Sequence, residues 1–247
     1  LKSYRLDVPQ ATLLAWELKK AGLHVQVLEV APVLMGRQLD AGSAELLKNI
    51  AAKNGVEIRT GVTVEAVEGT DHVTGVRLAG GEVCPADLVI VSAGVRANIG
   101  LAQSIGLDTD RAVIVNERME TNLQDVYACG DCAQYRGANF AIWPEAVDQG
   151  KTAGANAAGE KLEYEPAAAA LTFHGMNTAL FAAGDNGKNP NILYKTVEFQ
   201  DMGKGQYRKY YFLNNRLCGV ILIGDLSEMA KMTEALGKHA SYEEVMK

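Results

Sequence analysis

Residues 11–30 read ATLLAWELKKAGLHVQVLEV. Leu14, Leu18 and Ala21 recur at spacings of four and three, which puts them on one helical face, and Gly22 supplies the stop. HVQVLEV (24–30) then alternates and ends as a short apolar strand. A second amphipathic helix fits 39–55, with Leu46, Leu47 and Ile50 on one face and Asn54-Gly55 closing it. VEIRT and VTVEAVEG follow as strands. DHVTGVRLAGGEVCPADLVIVSAG reads as a hairpin turning at Gly80-Gly81, then a buried strand LVIVSAG. A helix, a strand and a three-stranded antiparallel excursion make one half of a dinucleotide-binding module.

Further on, AVIVN and DVYACG are two more predicted strands, joined by a turn around Thr121-Asn122. A helix is predicted from about Pro144 to Ala158, with proline in its first turn as sterics prefer. GEKLEYEPAAAA (159–170) marks a linker, charged and then alanine-rich. Beyond it LTFHGMNTALFAAGD, NILYKTVEFQ, YRKYYFLNN and RLCGVILIGD read as a mostly antiparallel sheet, with Asn214-Asn215 as a hairpin turn. A final helix, SEMAKMTEAL, ends at Gly237. The reading is α/β in three parts: 1–93, 94–168 and 169–247.

Composition narrows the function classes. A net charge of -6 argues against a nucleic-acid surface, which wants clustered Lys and Arg. No apolar run reaches the roughly 20 residues that span a bilayer, and no signal-peptide pattern opens the chain. Cys84, Cys129, Cys132 and Cys218 are too few for a disulfide scaffold, so a reducing, cytoplasmic setting is expected.

The strongest chemical signal is TNLQDVYACGD at 121–131. A predicted strand ends at Cys129, Gly130 allows close backbone approach, and Asp131 sits at the carboxyl end, where open α/β sheets bind ligands. A carboxylate there can accept hydrogen bonds from ribityl or ribose hydroxyls. In isolation the favoured reading is a strand closing in a Gly-Asp turn. PEAVDQGKTAGANAAG (144–159) shifts the balance. Its Gly150, Ala153, Gly154 and Ala157 leave room for a backbone or flat ligand, and its amino-terminal N–H groups favour electron-rich atoms. Glu29, ending the second strand of a βαβ unit, suits the adenosine ribose of NAD, with Arg37 nearby softening that preference. Cys129-Gly-Asp-Cys132 also reads as a redox pair or half a zinc site. No second C-x-x-C or His pair completes a metal site in the sequence, and the intervening Gly-Asp is what a ligand at this turn would need. His174 is structural on this reading.

T-x-x-x-x-V-Y-A-C-G-D followed by W-x-x-A-x-x-Q-G-x-x-A-G-x-N-A-A-G resembles the second FAD motif of the pyridine nucleotide–disulfide oxidoreductase superfamily, in the branch of the NADH:rubredoxin reductases and the nitrite reductase flavin module. The resemblance runs from about Ala11 to the carboxyl terminus. It implies a Rossmann-like flavoprotein with two dinucleotide domains, here partial: 1–93 residual NAD(H)-binding, 94–168 the later part of the FAD domain, 169–247 an α+β interface domain. It implies FAD and NADH as cofactors, with electrons passing from NADH through flavin to a small rubredoxin-like protein or another acceptor, and homodimers among relatives. It implies that Gly130 and Asp131 hold the ribityl and phosphate region. Backbone near Glu145 and Ala146, with Gln149 on the same helix, meets the flavin ring. Trp143 lies close to the ring in some members, and Gly94 in VSAGVRAN (91–98) passes near cofactor.

The pattern also breaks. In register with AWELKKAG (15–22), the family's glycine loop falls on LDVPQA (6–11), which has no glycine, and its Glu falls on Leu13. The first FAD motif, upstream of the NAD domain in the family, is missing too. A shortened version of a full reductase is therefore expected, rather than a natural protein that lost its cofactor, and the chain alone is expected to bind FAD weakly or not at all. An NADH oxidase or peroxidase of the same superfamily is the enzyme alternative. A scaffold without flavin is the other.

Overall fold

The computed structural model describes residues 8–166, 170–201 and 203–247, with side chains from residue 11 on. These fall into two compact units. One joins the described residues up to Ala93 with those from Ala170 onward; the other spans 94–166.

The first unit opens with α1 (Val8–Lys20), then β1 (Val25–Glu29), α2 (Ala41–Lys53) and β2 (Val56–Thr60). β1 and β2 pair in parallel, Val25 opposite Val56, so β1-α2-β2 is a crossover unit. Of the glycine-loop region, 6–7 lie outside the described residues and 8–11 form the first turn of α1. β3 (Val64–Glu68), β4 (Gly75–Leu78) and β5 (Val83–Pro85) make the expected antiparallel meander.

After residue 170 come β8 (Ala170–Gly175), β9 (Thr178–Gly184), β10 (Lys195–Asp201), β11 (Gln206–Leu213) and β12 (Arg216–Ile223). They form one antiparallel sheet in the order β10-β11-β12-β9-β8. Two-residue turns with positive φ close two hairpins, Met176-Asn177 and Asn214-Asn215, the conformation that matches the twist of the flanking strands. Alternation along β9, β11 and β12 buries both faces. Leu180, Ala182, Tyr207, Tyr211, Ile221 and Ile223 face Leu34, Leu39, Leu46 and Leu47 of α2 and its approach. Phe181, Tyr210, Phe212, Val220 and Leu222 face α5 (Met229–Gly237) and α6 (Tyr242–Val245). Opposite β11 the ladder passes from Gly219 to Leu217 and skips Cys218, a bulge that lets Leu217 share the second face. Gly219 is required there, because a Cβ would sit 1.7 Å from the carbonyl oxygen of Asp185.

α2 is fixed to this sheet by one carboxylate. Asp40 caps the helix, accepting from the Ser43 amide at 2.9 Å, and Ser43 answers in a capping box. Its other oxygen takes the Lys209 ammonium at 2.6 Å and the Tyr211 hydroxyl at 2.8 Å.

The second unit holds α3 (Gly100–Ser104), β6 (Val113–Val115), β7 (Ala133–Tyr135) and α4 (Trp143–Ala157). β6 and β7 are parallel. The sequence reading did not foresee α3, α6 or β7.

Two predicted strands form no ladder among the described residues. Among the described residues no ladder runs along LVIVSAG; Leu88 is 63% and Val91 57% exposed. DVYACG carries only an isolated bridge from Tyr127 to Glu120. Their apolar residues favour extended backbone, but a strand exists only where a neighbour accepts its ladder hydrogen bonds.

Candidate functional site

The site is built around the turn that follows Tyr127. Cys129 is extended, and Gly130–Cys132 forms one turn of 3-10 helix. Gly130 has φ +73, a conformation costly for any residue with a Cβ. A Cβ there would meet the Ala146 methyl at 3.4 Å, so the turn lies against α4. The Gly130 amide donates to Gln149 Oε1 at 2.8 Å. Asn139 Nδ2 braces the other side, donating to the carbonyls of Asp131 at 3.0 Å and Ala133 at 2.8 Å. The Asp131 side chain is exposed, and among the described residues its carboxylate has no hydrogen-bond or ion-pair partner.

α4 starts cleanly. Ile142 is its extended N-cap and Pro144 occupies the first turn. Glu145 also lies in that turn, where a negative charge meets the positive end of the helix dipole. Glu145 is 4% exposed and Gln149 1%. Both turn inward, where Tyr164 donates a short hydrogen bond to Glu145 and accepts one from Gln149 Nε2 at 3.4 Å. Burial first, then the bond to Glu145, pushes the Tyr164 phenol well above its ordinary range, so it stays a donor. Gly150 and Gly154 face open space: a Cβ on either would meet nothing within 4 Å.

The structure thus brings Gly130, Asp131, Glu145, Ala146 and Gln149 together, and assigns them unequal parts. Asp131 presents its side chain outward. The side chains of Glu145 and Gln149 are committed internally, so only backbone at those positions could meet a ligand. Trp143 is 83% exposed, its ring outside the packed interior of the unit. Gly94, at φ +75, opens the second unit. Glu29 belongs to the first unit, at the end of β1, where one carboxylate oxygen accepts from the Ala31 amide at 2.8 Å. Cys129 and Cys132 are free thiols. The Cys132 thiol donates to the Cys129 carbonyl at 3.3 Å, and burial raises the Cys129 pKa, which keeps it protonated. Sequence reasoning missed Tyr164, which stood inside a presumed linker. Its one available signal was a lone aromatic among the charges of GEKLEYEP.

The family described as pyridine nucleotide-disulphide oxidoreductase matches residues 11–150. The rubredoxin NAD+ reductase C-terminal domain matches 170–240. A nitrite reductase [NAD(P)H] of Bacillus subtilis is 32% identical over 93% of this chain and 28% of its own length. A rubredoxin-NAD(+) reductase of Acinetobacter baylyi is 30% identical over 88% of this chain and 55% of its own length. The chain therefore spans little more than half of such relatives at most. In fold it is similar to an FAD-dependent pyridine nucleotide-disulphide oxidoreductase from Desulfovibrio vulgaris. The TM-score is 0.80 at 24% identity, over 95% of this chain and 63% of that one.

Proposed function

The chain belongs to the pyridine nucleotide-disulphide oxidoreductase family, and from that premise we propose that it supplies the later half of an FAD site and part of an NADH site in a reductase. In this reading electrons pass from NADH through flavin to a small rubredoxin-like carrier. The relatives' names support this, and so does the carboxyl-terminal domain type. Bound FAD would supply hydride acceptance and electron release. The chain's own residues bind, orient and exclude water.

One observation carries the proposal. Asp131 stands exposed and without an internal partner, directly after a tethered glycine in left-handed conformation and against the start of α4. That suits a carboxylate accepting from the hydroxyls of a ribityl tail, with helix N–H groups of α4 facing the electron-rich edge of a ring. Trp143 would shield the ring and Gly94 would allow close approach. Glu29, with one oxygen held by Ala31, would offer the other to the NADH ribose. The fit is partial. Among the described residues the family's pyrophosphate cradle has no counterpart, since 8–11 are the helical first turn of α1 and contain no glycine. Weak NADH binding by the chain alone follows.

A cytoplasmic setting accords with four free thiols. Among the described residues no helix is long and apolar enough to cross a membrane. A homodimer formed through the carboxyl-terminal domain completes the proposal.

The test is a flavin titration. The purified chain should bind FAD weakly or not at all. Fused to the amino-terminal half of a family member, it should become yellow, and NADH should bleach it. A fusion that folds but stays colourless with excess FAD refutes the proposal.

A further inference from the structure

We propose that Tyr164 is a positioning residue for the Gly130–Asp131 turn and that it acts through Gln149. This rests on the reading of that turn as a flavin-tail site.

Tyr164 lies in the strap that follows α4, and the strap is fixed two residues before it and at its own amide. Asn156 brackets Leu162, donating to its carbonyl at 2.7 Å and accepting from its amide at 3.1 Å. The Tyr164 amide donates to the Glu117 carbonyl at 2.7 Å. Its ring meets Tyr135 edge-on at 5.4 Å, and both rings are 3% exposed.

The direction of every hydrogen bond in the network follows from one atom. A backbone N–H can only donate, so Gly130 requires an acceptor, and the oxygen of the Gln149 amide must face it. The amide nitrogen then faces Tyr164 and donates, so the phenol accepts from Gln149 and spends its own proton on Glu145. Nothing in this chain can reverse without breaking the bond to Gly130. Glu145 and Gln149 are both buried, so neither can turn to water for a substitute.

Removing the hydroxyl leaves a buried carboxylate without its donor and a buried amide without its acceptor. Gln149 relieves both by swinging its nitrogen toward Glu145, which takes the oxygen away from Gly130. The turn then loses its tether to α4, and Asp131 is the next residue.

Amide hydrogen exchange on the chain as it stands reads this directly, without flavin. Tyr164→Phe keeps the ring packing and deletes the hydroxyl. The Gly130 amide should exchange about tenfold faster, while Val113–Val115 amides in the same unit hold within about twofold. A merely structural tyrosine would move both sets together or neither, and either result overturns the proposal. Should the variant not fold, two others bracket the prediction. Glu145→Gln keeps an acceptor for the phenol and should leave Gly130 slow; Gln149→Leu deletes the acceptor and should make it fast. Equal rates in the two overturn the proposal. In the FAD-binding fusion, Tyr164→Phe should weaken FAD about tenfold. Unchanged affinity with unchanged exchange sinks the positioning role alone. Failure of the unmutated fusion to bind FAD, with the exchange effect intact, sinks the flavin reading alone.

Discussion

Replacing Asp40 by asparagine removes a charge and preserves most of the shape. Asparagine is a good N-cap, so the bond to the Ser43 amide survives the change. What is lost is the attraction for Lys209, whose side chain is 17% exposed against 15% for Asp40. Burial alone would raise the Asp40 pKa. Hydrogen bonds from Lys209, Ser43 and Tyr211 outweigh it and bring the value from 3.8 to about 2. That depression is worth about 2 kcal/mol at neutral pH, and solvent screens it little because both groups are mostly covered. The sign follows from a depressed carboxylate pKa. The stability is fully present above 3.8 and is lost as pH falls toward about 2. Glu198 still pairs with Lys209 at 2.9 Å, so the variant does not strand a cation. Urea unfolding followed by far-UV circular dichroism should show Asp40→Asn less stable by about 2 kcal/mol at neutral pH. The gap should close steadily once the pH drops below 3.8. A gap that persists undiminished to about pH 2, or that is missing at neutral pH, refutes the reasoning.

Other outcomes follow from single residues. Leu47 is 0% exposed under the carboxyl-terminal sheet, so Leu47→Ala should cost about 2–5 kcal/mol in the same unfolding assay. Asp131→Asn touches an exposed group with no internal partner, so the melting curve should stay within about 0.5 kcal/mol of the parent. FAD affinity of the fusion should meanwhile fall about tenfold or more; the opposite pattern would make Asp131 structural. Gly130→Ala should cost about 1–2 kcal/mol from its left-handed φ alone, since the added methyl meets only ordinary contact with Ala146. A neutral result would mean that the turn relaxes. Glu29→Gln should narrow the preference for NADH over NADPH in steady-state kinetics of the fusion, and an unchanged preference removes Glu29 from the ribose site.

Much of the architecture was legible where a segment carries its own cause. The period of Leu46, Leu47 and Ile50 marks α2, Gly80-Gly81 marks a hairpin, and Asn214-Asn215 marks another. LVIVSAG runs without a ladder among the described residues, since strand character belongs to a pair and not to a segment. β7 escaped notice because Ala133–Tyr135 is three residues long, too short to show a period. At the candidate site, Gly130 and Asp131 were readable as a turn at a ligand-binding position. The inward commitment of Glu145 and Gln149 was not readable, because it depends on Tyr164 arriving from a charged strap. A polar residue's name does not say which way it faces.

α2 serves two partners far apart along the chain: the parallel pair it connects, and a sheet that begins only at Ala170. During synthesis the helix emerges long before half of its burial exists. Leu46 and Leu47 then wait, uncovered, until the ribosome has released β12. Such distant closure raises the sequence separation of the contacts that must form, which slows folding. Once closed, the same arrangement ties the early and late stretches of this unit together, so a lesion under the helix is felt in both.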